Sequence, residues 1–245
     1  MRRTGYFCGL LIAGIIVQQC VADIVFIGTG TNEALDYPFD NIWENNRAQM
    51  LYLASEIGTE AIIETLGFDI TTVGDEPRDF VDFQIWLREI ADENLNSYTD
   101  FVDISSGTLV YSNASYSMPT TTGWHIWDIT DFHYSGKSNL LVEVVWGDNG
   151  SYAMWQSYGV AASDTLPDYY VLWGSADNET PPSFDDYGAD RPNLRLDIQP
   201  IPEPGTLPLT LWGSLTAFCL RRRRRSTRAQ RRVSLQGAGR RCRLG

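Results

Sequence analysis

Residues 23–200 are cut into short apolar runs by turn residues, and this punctuation narrows the fold more than any other feature of the chain. The clearest run alternates, with Phe83, Ile85 and Leu87 interleaved by Gln84, Trp86 and Arg88. Successive side chains of a strand point to opposite faces, so period two marks a strand with one face in a core. Ile24-Val25-Phe26-Ile27 stops at Gly28-Thr29-Gly30, and residues 108–111, 123–129, 139–146, 169–173 and 193–198 follow the same grammar. Turn signals lie between the runs: Tyr134-Ser135-Gly136-Lys137, Gly147-Asp148-Asn149-Gly150 and Pro181-Pro182. Many short strands so spaced predict an all-β sandwich. One stretch competes, since residues 47–67 are rich in Ala, Leu, Glu and Met and by propensity read as helix. The 178 residues of the segment are enough to bury roughly 70% of the unfolded surface without disulfide or metal staples.

Charge is segregated along the chain. Thirty of its 31 acidic residues and only six of its 19 basic ones fall in residues 23–200, an excess of 24 negative charges against −12 for the whole chain. Such a surface repels nucleic acid and anionic headgroups, so no nucleic-acid partner is expected. Cys8, Cys20, Cys219 and Cys242 all lie outside that segment. Thiolate zinc sites and iron–sulfur clusters are thereby excluded from it, and it needs no oxidative folding.

The two ends read as addresses. Met1-Arg2-Arg3, the apolar residues 6–17 and the small residues Cys20 and Ala22 have the order of a secretory signal peptide, residues 1–22, cleaved between Ala22 and Asp23. Its apolar run of 12 residues is short for a bilayer span. At the other end Ile201-Pro202-Glu203-Pro204-Gly205-Thr206 precedes the apolar residues 207–220 and then Arg221, Arg222, Arg223, Arg224 and Arg225. The prolines keep the tripeptide extended, the apolar run enters the bilayer as a short helix, and the arginines are retained in the cytoplasm as a stop.

That order resembles the PEP-CTERM sorting signal of Gram-negative surface proteins. The resemblance implies that residues 201–225 are a sorting signal, with Pro202, Glu203 and Pro204 recognised by an exosortase, a membrane processing enzyme of transpeptidase type. Insertion in the inner membrane is then transient, and the protein is exported to the cell surface or beyond. Residues 226–245, which extend past the family's pattern, read by composition as a basic disordered tail. A second resemblance runs through Ile27-Gly28-Thr29-Gly30-Thr31, residues 47–58, Tyr134-Ser135-Gly136 and Arg191-Pro192-Asn193-Leu194-Arg195-Leu196. Together these are similar to a jelly-roll-like domain of secreted bacterial surface proteins. It implies a jelly-roll-like β-sandwich over residues 23–200, in which the part similar to residues 51–56 is a strand running into a short turn.

Residues that could carry chemistry are few. His125 and His133 are the only histidines, and with no nucleophile–base arrangement near them no catalytic role is expected. Gly28-Thr29-Gly30 lacks the third glycine of a dinucleotide fingerprint, because Glu33 stands there, and reads as a strand-end turn. Asp185 and Asp186 with Asp190 are candidate calcium ligands, hard oxygen donors in an exported acidic domain. They lack EF-hand spacing, and a solvated acidic loop is the competing reading; no other cofactor is expected. Trp86, on the polar face of its strand, and Trp127, sharing a face with His125, are the candidate exposed rings for stacking on a sugar. The expectation is a sorted surface or extracellular-matrix protein with a structural or adhesive role and no catalysis. Its alternative is a lectin-type module that recognises exported polysaccharide.

Overall fold

The alternation in residues 83–87 becomes a long strand in which Phe83, Ile85 and Leu87 are buried and Gln84, Trp86 and Arg88 half-buried. The computed structural model describes residues 22–76, 79–147, 156–177 and 179–202. In chain order the described elements are β1 (Asp23–Ile27), β2 (Asn32–Ala34), β3 (Asn45–Tyr52), the single helical turn α1 (Ala54–Ile57), β4 (Ala61–Thr72), β5 (Asp79–Ile90) and β6 (Thr108–Ser117). There follow β7 (Gly123–Tyr134), β8 (Asn139–Gly147), β9 (Gly159–Asp164), β10 (Val171–Ala176), β11 (Asp186–Gly188), β12 (Asp190–Pro192) and β13 (Leu194–Pro200). Each apolar run picked out within residues 23–200 falls wholly or in large part on one of these strands, residues 169–170 preceding β10; the turn signal at residues 148–150 lies outside the described residues.

The strands form two antiparallel sheets packed as a β-sandwich. One has the order β11-β10-β3-β8-β5-β6; the other runs β1-β13-β4-β9-β12, with β7 also on β4 and β2 also on β9. Between the sheets lies an aromatic core that includes Phe39, Phe68, Phe80, Phe83, Trp127, Trp146 and Tyr158. Phe80 stacks on Trp146 at 4.1 Å between ring centroids, nearly parallel.

The competition over residues 47–67 resolves as the end of β3, the helical turn α1 and the start of β4, with the helical propensity surviving only in α1. The cause is burial on both faces. Ala48, Met50 and Tyr52 enter the core between the sheets, while Leu51 belongs to a second cluster on the opposite face. Ladders with β8 on one side and β10 on the other satisfy the backbone of β3, which a helix here could not combine with two-sided burial.

That second cluster exists because the long β5–β6 connection, residues 91–107, folds over the sheet. Leu95, Phe101 and Val102 cover Leu51, Leu141 and Leu172. The buried amide of Gln49 pins it: Nε2 donates to the Val102 carbonyl at 2.8 Å, and the Val102 N–H donates to Oε1 at 2.7 Å. Beside it Arg47 pairs with the buried Glu143 at 2.9 Å and lies 4.3 Å from the centre of the Phe101 ring.

The first and last strands of the sandwich are partners, with Asp23 opposite Ile198. The start of β1 and the end of β13 therefore lie side by side, close to Ile201 where this compact unit ends. Ile201 N–H donates to the Glu60 carbonyl at 2.9 Å. Of the unit that follows, 202–245, only Pro202 is among the described residues.

Candidate functional site

The sandwich carries a groove of about 480 Å³ where four separate parts of the chain converge. They are the approach to α1 (Leu53, Ser55), the start of the β5–β6 connection (Ala91, Glu93, Asn94), the β7–β8 turn (Lys137, Ser138, Asn139), and the residues before β10 (Asp168, Tyr170).

Each part is fixed by polar side chains near it. The β7–β8 turn closes through Gly136, at φ +71, where a Cβ would stand 2.4 Å from the backbone nitrogen of Glu60. Tyr134 hydroxyl donates to the Ser138 carbonyl at 2.7 Å, and Ser135 N–H donates to Glu89 at 3.0 Å. Asn139 joins three parts: its Oδ1 accepts from Ala54 N–H at 2.8 Å, and its Nδ2 donates to the Asp92 carbonyl at 2.7 Å. Asp168 Oδ1 accepts from Asn96 Nδ2 at 3.3 Å, and Tyr169 N–H donates to Asn96 Oδ1 at 2.7 Å.

Arg191 forms the wall behind Tyr170. Its guanidinium makes two hydrogen bonds to Glu56, at 2.6 and 2.8 Å, and a third to the Leu51 carbonyl at 3.1 Å. It also lies 5.0 Å from the Tyr52 ring centre and 5.2 Å from that of Tyr170. Arg191 is buried, so charge and hydrogen bonds are matched where an unmatched cation would be costly. Desolvation first, then the Asp168 charge, raises the Tyr170 phenol above its ordinary pKa, so it is a neutral donor at physiological pH. In contrast, Lys137 and Glu93 form no side-chain bond or ion pair among the described residues. The groove thus offers carboxylates, amides, an ammonium and a phenol ring on a rigid frame.

The residues singled out from the sequence are elsewhere. Trp127 is a correction: it is only 2% exposed and packs against Phe39, Phe68 and Phe83 in the core, closed to any ligand. It does share a face with His125, but that face is the inner one. Alternation fixes which residues lie together without fixing which set meets the core. Trp86 is half-buried, its indole N–H donating to Gln84 at 2.9 Å. Among the described residues the exposed large aromatic side chains are instead Trp43, Trp124 and Phe26, the last two edge to face at 5.3 Å. Trp124 could have been found by assigning the neighbouring face of the same alternation to solvent.

The candidate calcium ligands also need correcting. Among the described residues no three His, Cys, Asp or Glu side chains gather as a metal site. Asp185 accepts from Ser175 N–H at 2.9 Å, Asp186 from Tyr187 N–H at 2.7 Å, and Asp190 from Asn32 Nδ2 at 2.7 Å. The three carboxylates terminate separate turns and strands in place of forming a shared oxygen cage.

The histidines are apart in role as well as position: His125 bonds the Tyr116 hydroxyl, and His133 pairs with Glu60 at 2.9 Å on the surface. Burial lowers the His125 pKa below its ordinary value. Gly28-Thr29-Gly30 is a strand-end turn. A Cβ on Gly30 would come within 2.2 Å of the Ala162 carbonyl oxygen, and Gly30 instead bonds Ser163 Oγ through its N–H and Asn193 Nδ2 through its carbonyl. Of the sorting residues, Pro202 is described and exposed. Glu203, Pro204, Arg221 to Arg225 and residues 1–21, expected as most of a signal peptide, lie outside the described residues, as do residues 207–220 and 226–245. Ala22 and Asp23 are described and exposed at the start of β1. In comparison with known proteins, no family model matches the chain and no curated protein matches it significantly.

Proposed function

We propose that this is an exported bacterial surface or extracellular-matrix protein with a structural or adhesive role, sorted through its C-terminal segment and not catalytic. The observation that carries the reading is the order Pro202-Glu203-Pro204, apolar residues 207–220, five arginines. That is the arrangement expected of a substrate held briefly in the inner membrane while an exosortase-type enzyme reads the tripeptide. The pairing of Asp23 with Ile198 supports it, since a domain whose two ends emerge together is suited to export as a loop between two membrane-held segments. The finer description of the sandwich as jelly-roll-like belongs to the same proposal. It is supported by the way early and late strands interleave, β1-β13-β4 in one sheet and β10-β3-β8 in the other.

Terminal peptide mapping of protein recovered from the surface of a Gram-negative host tests the reading. The mature chain should begin near Asp23 and lack residues from Leu207 onward, and Glu203→Ala should leave the C-terminal peptides in place. Exported protein that keeps an intact Arg221 to Arg225 cluster would refute the sorting mechanism.

The second reading, a lectin-type module for exported polysaccharide, is favoured by the polar groove with Tyr170 in its wall. The two are compatible, since an adhesive surface protein needs something to adhere to.

A further inference from the structure

We propose that the groove between α1, the β5–β6 connection, the β7–β8 turn and the approach to β10 binds a neutral saccharide, one or two pyranose rings of a longer chain. The inference deepens the lectin-type reading and rests on it; it does not depend on how the protein is sorted.

The volume fits, since about 480 Å³ lies in the ordinary range for small-ligand sites, roughly 300–1,000 Å³. The chemistry of the lining selects the class. A pyranose presents hydroxyls that both donate and accept, with patches of C–H on the ring faces. Glu93 and Asp168 are acceptors, and the Lys137 ammonium and the Tyr170 hydroxyl are donors, while the Asn94 amide is engaged with Asp168 Oδ1 and the Asn96 N–H and holds that carboxylate in place. The Tyr170 ring provides the apolar surface for the C–H patches. Apart from Leu53 and Ala91, the lining residues all carry polar side chains, which leaves little to hold an apolar peptide or lipid chain. An anionic sugar would bring its charge into a domain with an excess of 24 negative charges and up against two carboxylates.

Two features make the groove a prepared site and more than a gap between loops. Its frame is bonded independently of any ligand: Asn139 uses both ends of its amide to join α1 to the β5–β6 connection, and Asn96 ties that connection to Asp168 and Tyr169. Tyr170 has Arg191 beside its ring, and Arg191 is held by three hydrogen bonds. Ordering costs that would weaken binding are thus met on folding. Against this fixed frame stand Lys137 and Glu93, two charged groups of opposite sign with no partner among the described residues.

Lys137 is the only lysine in the chain, which gives a direct readout. The full chain, purified in mild detergent, is treated with an amine-acetylating reagent, and modification of Lys137 is followed by peptide mass spectrometry. The probes are malto-, cello- and chito-oligosaccharides, oligogalacturonate as the anionic control, and a pool of unstructured peptides. At least one neutral oligosaccharide should protect Lys137. Its affinity should fall about tenfold in Asp168→Asn and in Glu93→Gln, the loss expected for a charge-assisted hydrogen bond. Tyr170→Phe should retain more binding than Tyr170→Ala. Both carboxylate variants preserve shape, so an unchanged melting temperature separates lost binding from lost folding. Protection by no neutral oligosaccharide overturns the proposal. So does protection only by oligogalacturonate or by peptides, or protection that both carboxylate variants leave intact. Such a failure leaves the sorting proposal standing, because terminal mapping reads that alone.

Discussion

Asp40, in the connection from β2 to β3, is 4% exposed, and burial pushes its carboxyl up to about 6 despite hydrogen bonds from Ile42 N–H and Ser157. A folded pKa above the unfolded one means that the protonated side chain favours folding. Its contribution is whole below the unfolded value of 3.8 and is lost as pH rises through about 6. At neutral pH the domain therefore carries a buried charge, at a cost of up to about 3 kcal/mol by the linkage relation. Asp40→Asn keeps an acceptor for Ile42 and removes the charge. It should raise the urea midpoint at pH 7 and flatten the loss of stability between about pH 4 and 6. A variant whose midpoint parallels the parent at every pH would mean that Asp40 ionises without penalty. Nothing near Asp40 in the sequence, Tyr37-Pro38-Phe39-Asp40-Asn41, marks it as buried; in a chain with 31 acidic residues one more Asp carries no signal.

Among the elements, the β5–β6 connection is pinned at Val102 by a single side chain. Gln49 satisfies both backbone groups of Val102 in a buried place, and Phe101 rests against Arg47. Gln49→Ala leaves those two groups without partners, a loss of about 1–3 kcal/mol for each that stays dry. The connection should then open locally. Hydrogen exchange should speed at Val102 and its neighbours, while Val142 and Val144 in β8 stay protected. Uniform acceleration across β8 would show instead that the connection and the sheet open as one unit. This layer also explains what was legible here. Strands such as β5, with one buried face, announce themselves by alternation. The continuous apolar stretch Leu140-Leu141-Val142 in β8 shows that both faces are covered, without saying that residues 91–107 do the covering. The strand identity of β3 came from resemblance, because its own residues favour helix and only its two ladders override them.

At the scale of the whole sandwich, residues 23–200, the excess of 24 negative charges opposes the compact state through self-repulsion that salt screens. Raising sodium chloride from about 0.01 M to about 0.2 M should increase the melting temperature, since the Debye length falls from roughly 30 Å to below 10 Å. Calcium chloride at matched ionic strength should add little, as the three candidate aspartates are engaged separately. A large excess effect of calcium would point to a site among the remaining carboxylates. The groove could not have been read from the chain, for its parts near residues 54, 93, 138 and 169 are distant in sequence and are brought together by the fold alone.

The place where the chain leaves the sandwich has a mechanical consequence. Ile201 is bonded to Glu60, Pro200 lies opposite Ala61, and Ala61 lies opposite Tyr134, at the start of the turn that carries Lys137. Exit and groove thus share one end of the domain. Tension between a tethered C-terminus and a ligand in the groove would run through this short bridge of β13, β4 and the β7–β8 turn. Phe39, Phe80 and Trp146, deep between the sheets, would bear little of it, so a mutation that softens the core need not weaken the grip.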